Sequence, residues 1–504
     1  MPDLSQRRPF IVDLSVFIAG VLLPLAFAPF GIWPLAMLLP VVLLWSWDGA
    51  SPWGAARRGG LFGLGTFGFG IYWIFISLHD YGHAPAAFAA LTTFLVVAVM
   101  ALYPAVLGYL VNRWGPPPGP IRWLLIIPAL WALLDWMRSW LLTGFPWLAI
   151  GYSQTDSALG NLAAYLGVFG VGWVVVLNVG LLRTMWASDH WPTRGFWLSI
   201  LAAVWLTSWS LGRIDWVEPA GAPLRIALVQ GNILQDQKWQ SSTLEETLRR
   251  YVQLSRTEYG RTDVIIWPET AIPIFQEEAT PFLNMLAEEA QPAKIDYVIG
   301  IPSGSREAQI FHNSMLIIGR SPGVYHKRRL LPFGEYLPLR TFLLFFRNWV
   351  DIPMADFTPG ERDQPLPQVG GQPVGVSICF EAAFGSEIRL ALPEATWLIN
   401  VSNDAWFKDS IAPHQHLQIV RMRTMEMGRY LARATNTGIS AVLDERGQIL
   451  NRGNQFQAEV ISGKVQPLRG LTPYGRFGDL PVVLLLLSLL GLGLLLGRRG
   501  KIDP

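Results

Sequence analysis

The first 213 residues contain no lysine and no glutamate. Their only charges are ten arginines and seven aspartates, against 59 charged residues in the remaining 291. Over the whole chain 15% of residues are charged, where an ordinary soluble protein carries about 25%. This scarcity excludes a single water-soluble globule, and the 51% hydrophobic content excludes disorder. There is one cysteine, which excludes an internal disulfide and any cysteine-rich metal site. A formal net charge of +2 gives no reason to expect a nucleic-acid partner.

What is present in the charge-poor part is a series of apolar runs. A spanning helix needs about 20 mostly apolar residues. Candidate spans lie near 10–29, 32–47, 60–78, 85–111, 122–141, 161–182, 196–212 and 481–497. The prediction is a polytopic α-helical membrane protein of about eight spans. Orientation follows from Arg and Lys in short loops. Arg7 and Arg8, Arg57 and Arg58, Arg113 and Arg122, Arg183 and Arg194, and Arg498, Arg499 and Lys501 all fall on one side of an eight-span frame. The opposite loops, 79–84 and 143–160, have no Lys or Arg, and two residues depart from the pattern: Arg138, near the outer end of the fifth span, and Arg213, where the insert begins. Both termini are therefore expected in the cytoplasm, with the insert on the far side of the membrane. Residues 1–28 also have the outline of a secretory signal ending Ala26-Phe27-Ala28, but Pro29 and a second apolar run follow at once. The predicted parts are a seven-helix membrane domain over 1–215, an extracytoplasmic domain over 220–478, and a closing helix with its tail over 479–504. Asp135 and Arg138 share a helix face and read either as an internal packing pair or as a headgroup or substrate contact. His79, Asp80, His83 and Gly144-Phe145-Pro146-Trp147 read as an interfacial aromatic belt.

From residue 224 the pattern becomes that of an α/β domain. β-rich runs occur at 225–229, 264–267, 297–301, 315–318, 374–379, 396–401 and 439–443, and helical periodicity at 243–258 and 415–431. In such sheets reactive groups gather beyond the carboxyl ends of strands. Glu269 follows the run ending at Trp267, and Cys379 ends the run beginning at Val374. Lys327 lies between them in Tyr325-His326-Lys327-Arg328-Arg329. A thiol nucleophile, a carboxylate that takes its proton, and an ammonium that holds the oxyanion make a complete acyl-transfer set. The backbone N–H of Phe380 is a second oxyanion donor. Each residue has a plainer reading: Cys379 as a small buried hydrophobe, Glu269 as a helix-start charge, and Lys327 as part of a solvated basic patch. Spacing alone does not show that the three meet.

At these residues the chain resembles the nitrilase superfamily, whose triad is Glu–Lys–Cys on an αββα sandwich. Within it, the chain is similar to the apolipoprotein N-acyltransferase family of bacterial envelopes. The likeness rests on the eight-span frame, Val229-Gln230-Gly231-Asn232, Lys238-Trp239, Trp267-Pro268-Glu269-Thr270, Pro332-Phe333-Gly334-Glu335-Tyr336, Val401-Ser402-Asn403-Asp404-Ala405-Trp406-Phe407, Arg433-Ala434-Thr435-Asn436-Thr437-Gly438 and Gly470-Leu471-Thr472-Pro473-Tyr474. It implies Glu269 as general base, Lys327 as oxyanion partner and Cys379 as nucleophile. It also implies Glu335 as support for Lys327, and Trp239, Asn313 and Glu381 as residues near the site. The family usually has Tyr after the nucleophile. Here Phe380 keeps the ring and loses the hydroxyl.

The resemblance further implies a two-step exchange at the inner membrane of a bacterium, with the catalytic domain facing the periplasm. A phospholipid, phosphatidylethanolamine through its sn-1 chain, acylates Cys379. The α-amine of a diacylglyceryl-cysteine apolipoprotein then takes the acyl chain. No cofactor or metal is called for, and a monomer is expected. Aromatic residues 342–346 are read as dipping into the interface or as a core-packing helix. Two rivals stay open: a membrane-tethered amidase using water, and a transporter with an external receptor domain.

Overall fold

The computed structural model describes residues 9–305, 307, 309–336 and 356–499. Phe342-Leu343-Leu344-Phe345-Phe346 and three of the basic residues used for orientation, Arg7, Arg8 and Lys501, lie outside the described residues. The chain divides into two compact units. One comprises Met1–Phe75, Ala87–Asp215 and Phe477–Pro504; the other comprises Ile76–Ala86 and Trp216–Arg476.

The first unit is helical. Long apolar runs without alternation satisfy their backbone only within the segment, as a lipid environment requires. Among the described residues four helices are long and apolar enough to cross a membrane: Pro9–Ala26, Ala86–Trp114, Ala158–Ala187 and Leu480–Arg498. A fifth candidate is Pro52–Gly70 with its continuation Trp73–Tyr81, bent by 49°. Leu35–Trp47 is apolar but short. The runs near 122–141 and 196–212 are also helical, over Ile127–Arg138 after a π turn and over Trp191–Leu211. The count by length and hydropathy is thus four or five, against the eight expected from apolar runs. Leu35–Trp47 and Ile127–Arg138 are too short for the count, while Trp191–Leu211 is long enough but falls short in hydropathy with its tryptophans, serines and arginine. Ser51 caps Pro52–Gly70 through its side chain, accepting from Gly54 N–H at 3.1 Å. Gly59 lets this helix meet Ala86–Trp114: a Cβ there would sit 2.0 Å from the Pro104 carbonyl oxygen.

Arg138 is fully buried and pairs with Asp135 at 2.9 Å. Its guanidinium also donates to the carbonyls of Phe145 and Trp147 at 2.8 and 2.6 Å. The pair therefore braces the 145–147 turn, the packing reading of the two. Trp147 is buried between Phe145, stacked at 5.8 Å, and Trp73, edge-on at 5.4 Å, rather than standing in an interfacial belt.

The second unit is built on two six-stranded mixed sheets. In chain order the strands are β1 (Val217–Pro219), β2 (Leu224–Gln230), β3 (Val264–Ile266), β4 (Asp296–Ser305), β5 (Ile310–Ile318), β6 (Gly323–His326), β7 (Gln368–Val369), β8 (Gln372–Ile378), β9 (Trp397–Ser402), β10 (Leu431–Thr435), β11 (Ala441–Leu443), β12 (Ile449–Arg452), β13 (Glu459–Val465) and β14 (Leu468–Gly470). One sheet runs β13-β2-β3-β4-β5-β6, the other β12-β11-β10-β9-β8-β7. The first is parallel from β2 to β4, and the second from β8 to β10. β1 and β14 pair apart from both.

Strand alternation decides the layers. Ile226, Leu228, Val264, Ile266, Val374, Val376, Ile378, Ile399 and Val401 share one core between the sheets. The intervening Ala227, Val229, Ile265 and Ile299 pack outward with residues of helices Ser241–Arg256 and Gln276–Ala293. Leu398 and Leu431 pack outward on the other sheet with Leu417 and Val420 of helix Ala412–Met427. The order is helix, sheet, sheet, helix. All seven predicted strands are present. The helix expected to run to 431 stops at Met427, where Gly428 takes φ +62°, and Leu431 opens β10 instead. β6, β7, β12, β13 and β14 are short or polar, and their apolar pattern is too weak to read.

Candidate active site

Glu269 stands three residues beyond β3. Trp267 anchors this exit: it is fully buried, stacks on Tyr251 at 4.9 Å, and donates its indole N–H to Ser255 Oγ at 2.9 Å. Pro268 has no N–H to continue the ladder. Gly300 on β4 makes room, since a Cβ there would lie 2.2 Å from the Pro268 oxygen and 2.6 Å from the Thr270 nitrogen. The Glu269 carboxylate is buried. Oε1 accepts from Asn313 Nδ2 at 2.7 Å and from Lys327 Nζ at 3.5 Å. Oε2 accepts from the Asn403 N–H at 3.0 Å.

Lys327 follows β6 and donates its N–H to the Asn313 carbonyl at 2.8 Å. Its ammonium is fully buried and donates to Glu335 Oε1 at 2.8 Å. Asn313 spends its two amide hydrogens on two carboxylates, Glu269 and Glu335, the second at 2.8 Å. Glu335 Oε2 accepts from the Leu331 N–H at 2.7 Å, so the carboxylate also fixes the turn that carries it. Burial works against the Lys327 charge, but Glu335, Glu269 and then Cys379 outweigh it and raise the ammonium well above its ordinary range.

Cys379 comes directly after β8. Its backbone takes φ +51°, a left-handed conformation that costs a side-chain-bearing residue of order 1–3 kcal/mol. It opens the turn Cys379–Ala383. Burial pushes the thiol up, the Glu269 charge adds to this, and Lys327 opposes both. These effects together favour the protonated thiol over the thiolate. Phe380 is buried with its ring edge-on to Phe384 at 4.9 Å.

Glu381 is buried and accepts from the N–H groups of Ile378, Arg328 and Arg329 at 2.7, 2.6 and 3.0 Å, and from the Tyr325 hydroxyl at 3.1 Å. It ties the cysteine turn to the strand end that carries Lys327. Burial raises its carboxyl, with the backbone N–H groups opposing. Trp239 is 41% exposed, while the buried member of the Lys238-Trp239 pair is the lysine.

The structure thus brings Glu269, Lys327, Glu335 and Asn313 into one hydrogen-bonded ring, and Cys379 within its electrostatic reach. It adds residues for which sequence reasoning gave no role. Lys238 Nζ is buried and donates to the Glu269 carbonyl at 3.1 Å. Burial pulls its pKa down to about 8, and the Glu269 charge opposes. The Asn403 N–H donates to the Glu269 carboxylate. Both lie in stretches quoted above as motifs, but nothing in the string shows where they point. The loop 404–408 is held by the segment 76–86 of the same unit. Ser77 Oγ donates to the Trp406 carbonyl at 2.9 Å, Lys408 pairs with Asp80 at 2.7 Å, and Tyr81 lies edge-on to Trp406 at 5.8 Å. The segment expected as an interfacial belt at 79–83 thus also braces the 404–408 stretch.

Residues 19–182 match the apolipoprotein N-acyltransferase N-terminal domain, and residues 225–474 match the carbon–nitrogen hydrolase family. Over 487 residues the chain is 44% identical to the apolipoprotein N-acyltransferase of Methylococcus capsulatus, covering 96% of each. It is 40% identical to that of Nitrosomonas europaea over 488 residues, again 96% of each. With that of Azotobacter vinelandii it shares 38% over 497 residues, 98% of this chain and 96% of the relative.

Proposed function

The chain belongs to the apolipoprotein N-acyltransferase family, and from that premise we propose that it N-acylates lipoproteins by a two-step exchange on Cys379. The observation that supports the mechanism is the buried hydrogen-bonded ring of Glu269, Lys327, Asn313 and Glu335, whose charges are felt by the single thiol of the chain. In the first step Sγ attacks the ester carbonyl of a phospholipid, phosphatidylethanolamine through its sn-1 chain, while Glu269 takes the thiol proton. Lys327 and the Phe380 N–H hold the oxyanion. Collapse breaks the C–O bond, Glu269 returns the proton to the leaving alkoxide, and a lysophospholipid departs. In the second step the neutral α-amine of a diacylglyceryl-cysteine attacks the thioester and gives its proton to Glu269. The C–S bond breaks, the thiolate is reprotonated, and the amide leaves.

The topology that suits this reaction has eight spans in the bacterial inner membrane, both termini in the cytoplasm, and the sheet-containing unit facing the periplasm. The apolar helices and the one-sided Arg and Lys pattern support it. A chain that joins a lipid-embedded frame to a hydrolase-type site matches two lipid-borne substrates. Glu335 supports Lys327, and Glu381 and Asn313 are positioning residues, as their hydrogen bonds suggest.

Intact-protein mass spectrometry after incubation with phospholipid tests the scheme. The expected result is one acyl adduct on the wild type and none on Cys379→Ser. No adduct on the wild type, or an undiminished one on Cys379→Ser, would sink the covalent route. Free fatty acid released without amide formation on a lipopeptide would favour a hydrolase.

A further inference from the structure

Behind the cysteine turn lies a buried charged cluster that the exchange itself does not use. His416, on helix Ala412–Met427, is 2% exposed. Its Nε2 lies 3.1 Å from the carbonyl oxygen of Cys379. Its Nδ1 lies 3.0 Å from Asp404 Oδ1 and 3.1 Å from Arg433 Nη2. Arg433 also donates to Asp404 Oδ2 at 2.8 Å, and Ser402 Oγ donates to Asp404 Oδ1 at 2.7 Å.

The proton positions follow from the partners. A carbonyl oxygen only accepts, so Nε2 carries a hydrogen. With the imidazole neutral, Nδ1 accepts from Arg433; with it charged, Nδ1 donates to Asp404. Nε2–H is present in both states. The imidazole is thus a donor fixed at its far side by Arg433 and Asp404, and its target is the carbonyl of a residue with φ +51°.

That carbonyl shares one peptide unit with the N–H of Phe380. The unit is planar, and in the trans form C=O and N–H point in opposite directions. Holding the oxygen on one side therefore aims the hydrogen on the other. We infer that His416 is a positioning residue for the acyl transfer: by gripping the Cys379 carbonyl it aims the Phe380 N–H at the developing oxyanion. Asp404 and Arg433 orient the imidazole for this. The inference rests on the proposed role of Cys379 as nucleophile and of Phe380 N–H as oxyanion donor.

The single thiol supplies a control. Alkylation by iodoacetamide occurs at saturated carbon and forms no oxyanion, whereas acylation by an ester does. His416→Asn loses the donor at the Nε2 position, while His416→Gln carries an amide N–H close to it. The expected result is that His416→Asn lowers the acylation rate by about 100-fold, the scale of losing one oxyanion donor. The phospholipid KM should change little and alkylation should stay within a few-fold of wild type. His416→Gln should recover most of the loss. Asp404→Asn, which frees the imidazole, should show the same split and decides the question if His416→Asn does not fold. Acylation and alkylation falling together, no effect in either substitution, or no recovery with Gln in a folded protein would each overturn the inference. Failure of the nucleophile reading looks different: the wild type itself would form no acyl adduct on Cys379.

Discussion

Replacing Glu335 by Gln keeps the shape of the side chain and removes its charge. Among the described residues, three groups donate to this carboxylate: Lys327 and Asn313 to Oε1, both at 2.8 Å, and the Leu331 N–H to Oε2 at 2.7 Å. An amide has one acceptor oxygen and one donor nitrogen. In one orientation its NH2 faces the Leu331 N–H; in the other it faces the Lys327 ammonium and the Asn313 amide. Either way a donor meets a donor inside the protein. Breaking a buried ion pair costs about 3–5 kcal/mol. Lys327 keeps Glu269 as a partner, which puts the loss near the lower figure, roughly 3 kcal/mol. The ammonium, now 3.5 Å from Glu269 Oε1, relaxes onto it and makes the base weaker. If the same 3 kcal/mol appears in the barrier, the rate falls by roughly 100-fold. The assay is the rate of acyl-adduct formation on Cys379, followed by intact-mass spectrometry, beside a thermal melt that should fall by roughly 5–10 °C. Adduct formation within threefold of wild type, with an unchanged melt, would refute the reasoning.

Two further predictions concern the other side of Glu269. Lys238, with its pKa pulled down to about 8 by burial, binds a proton less readily in the folded than in the unfolded protein. Stability therefore rises with pH between about 8 and the ordinary lysine value near 10.4. In pH-dependent urea unfolding, Lys238→Met should lack this gain of about 3 kcal/mol relative to wild type. An inflection near pH 8 in the acylation rate should vanish with it. A matching pH profile in the two proteins would contradict the assignment. Gly300→Ala forces a Cβ to within 2.2 Å of the Pro268 oxygen. The Glu269 turn must move, at a cost of about 1–3 kcal/mol. Acylation should drop by more than tenfold while iodoacetamide still labels Cys379; an unaltered acylation rate would show that the turn tolerates the methyl group.

How far the string of residues was readable follows from these cases. Strands such as Val264–Ile266 and Trp397–Ser402 are buried on both faces and stand out as apolar runs. β12 is largely exposed and β13 only partly buried, and neither stands out. Leu431 reads as part of the preceding helix because only the left-handed turn at Gly428 separates the two. Glu269, Lys327 and Cys379 stand out as candidates in the sequence because acyl transfer uses a carboxylate, a cation and a thiol, and two of these residues follow strand ends. Lys238 and His416 were not, because a buried lysine or histidine has the same letter as an exposed one.

Charge distribution and hydropathy, by themselves, separate an apolar helical part from an α/β part, since both are sums over local composition. Residue type and position after strand ends single out Glu269, Lys327 and Cys379 as candidates for acyl transfer, because residue type carries chemistry. Only the tertiary structure decided which groups meet. Asn313 bridges two carboxylates from different loops, Glu381 ties the cysteine turn to the lysine strand, and the 76–86 segment clamps the loop that follows Asn403 beside Glu269. These contacts span up to 329 positions of sequence. Burial and neighbouring charges then set the electrostatics: Lys327 keeps its proton more firmly because the Glu335 and Glu269 carboxylates outweigh its burial, while burial makes Lys238 give its proton up more readily and favours the protonated Cys379 thiol.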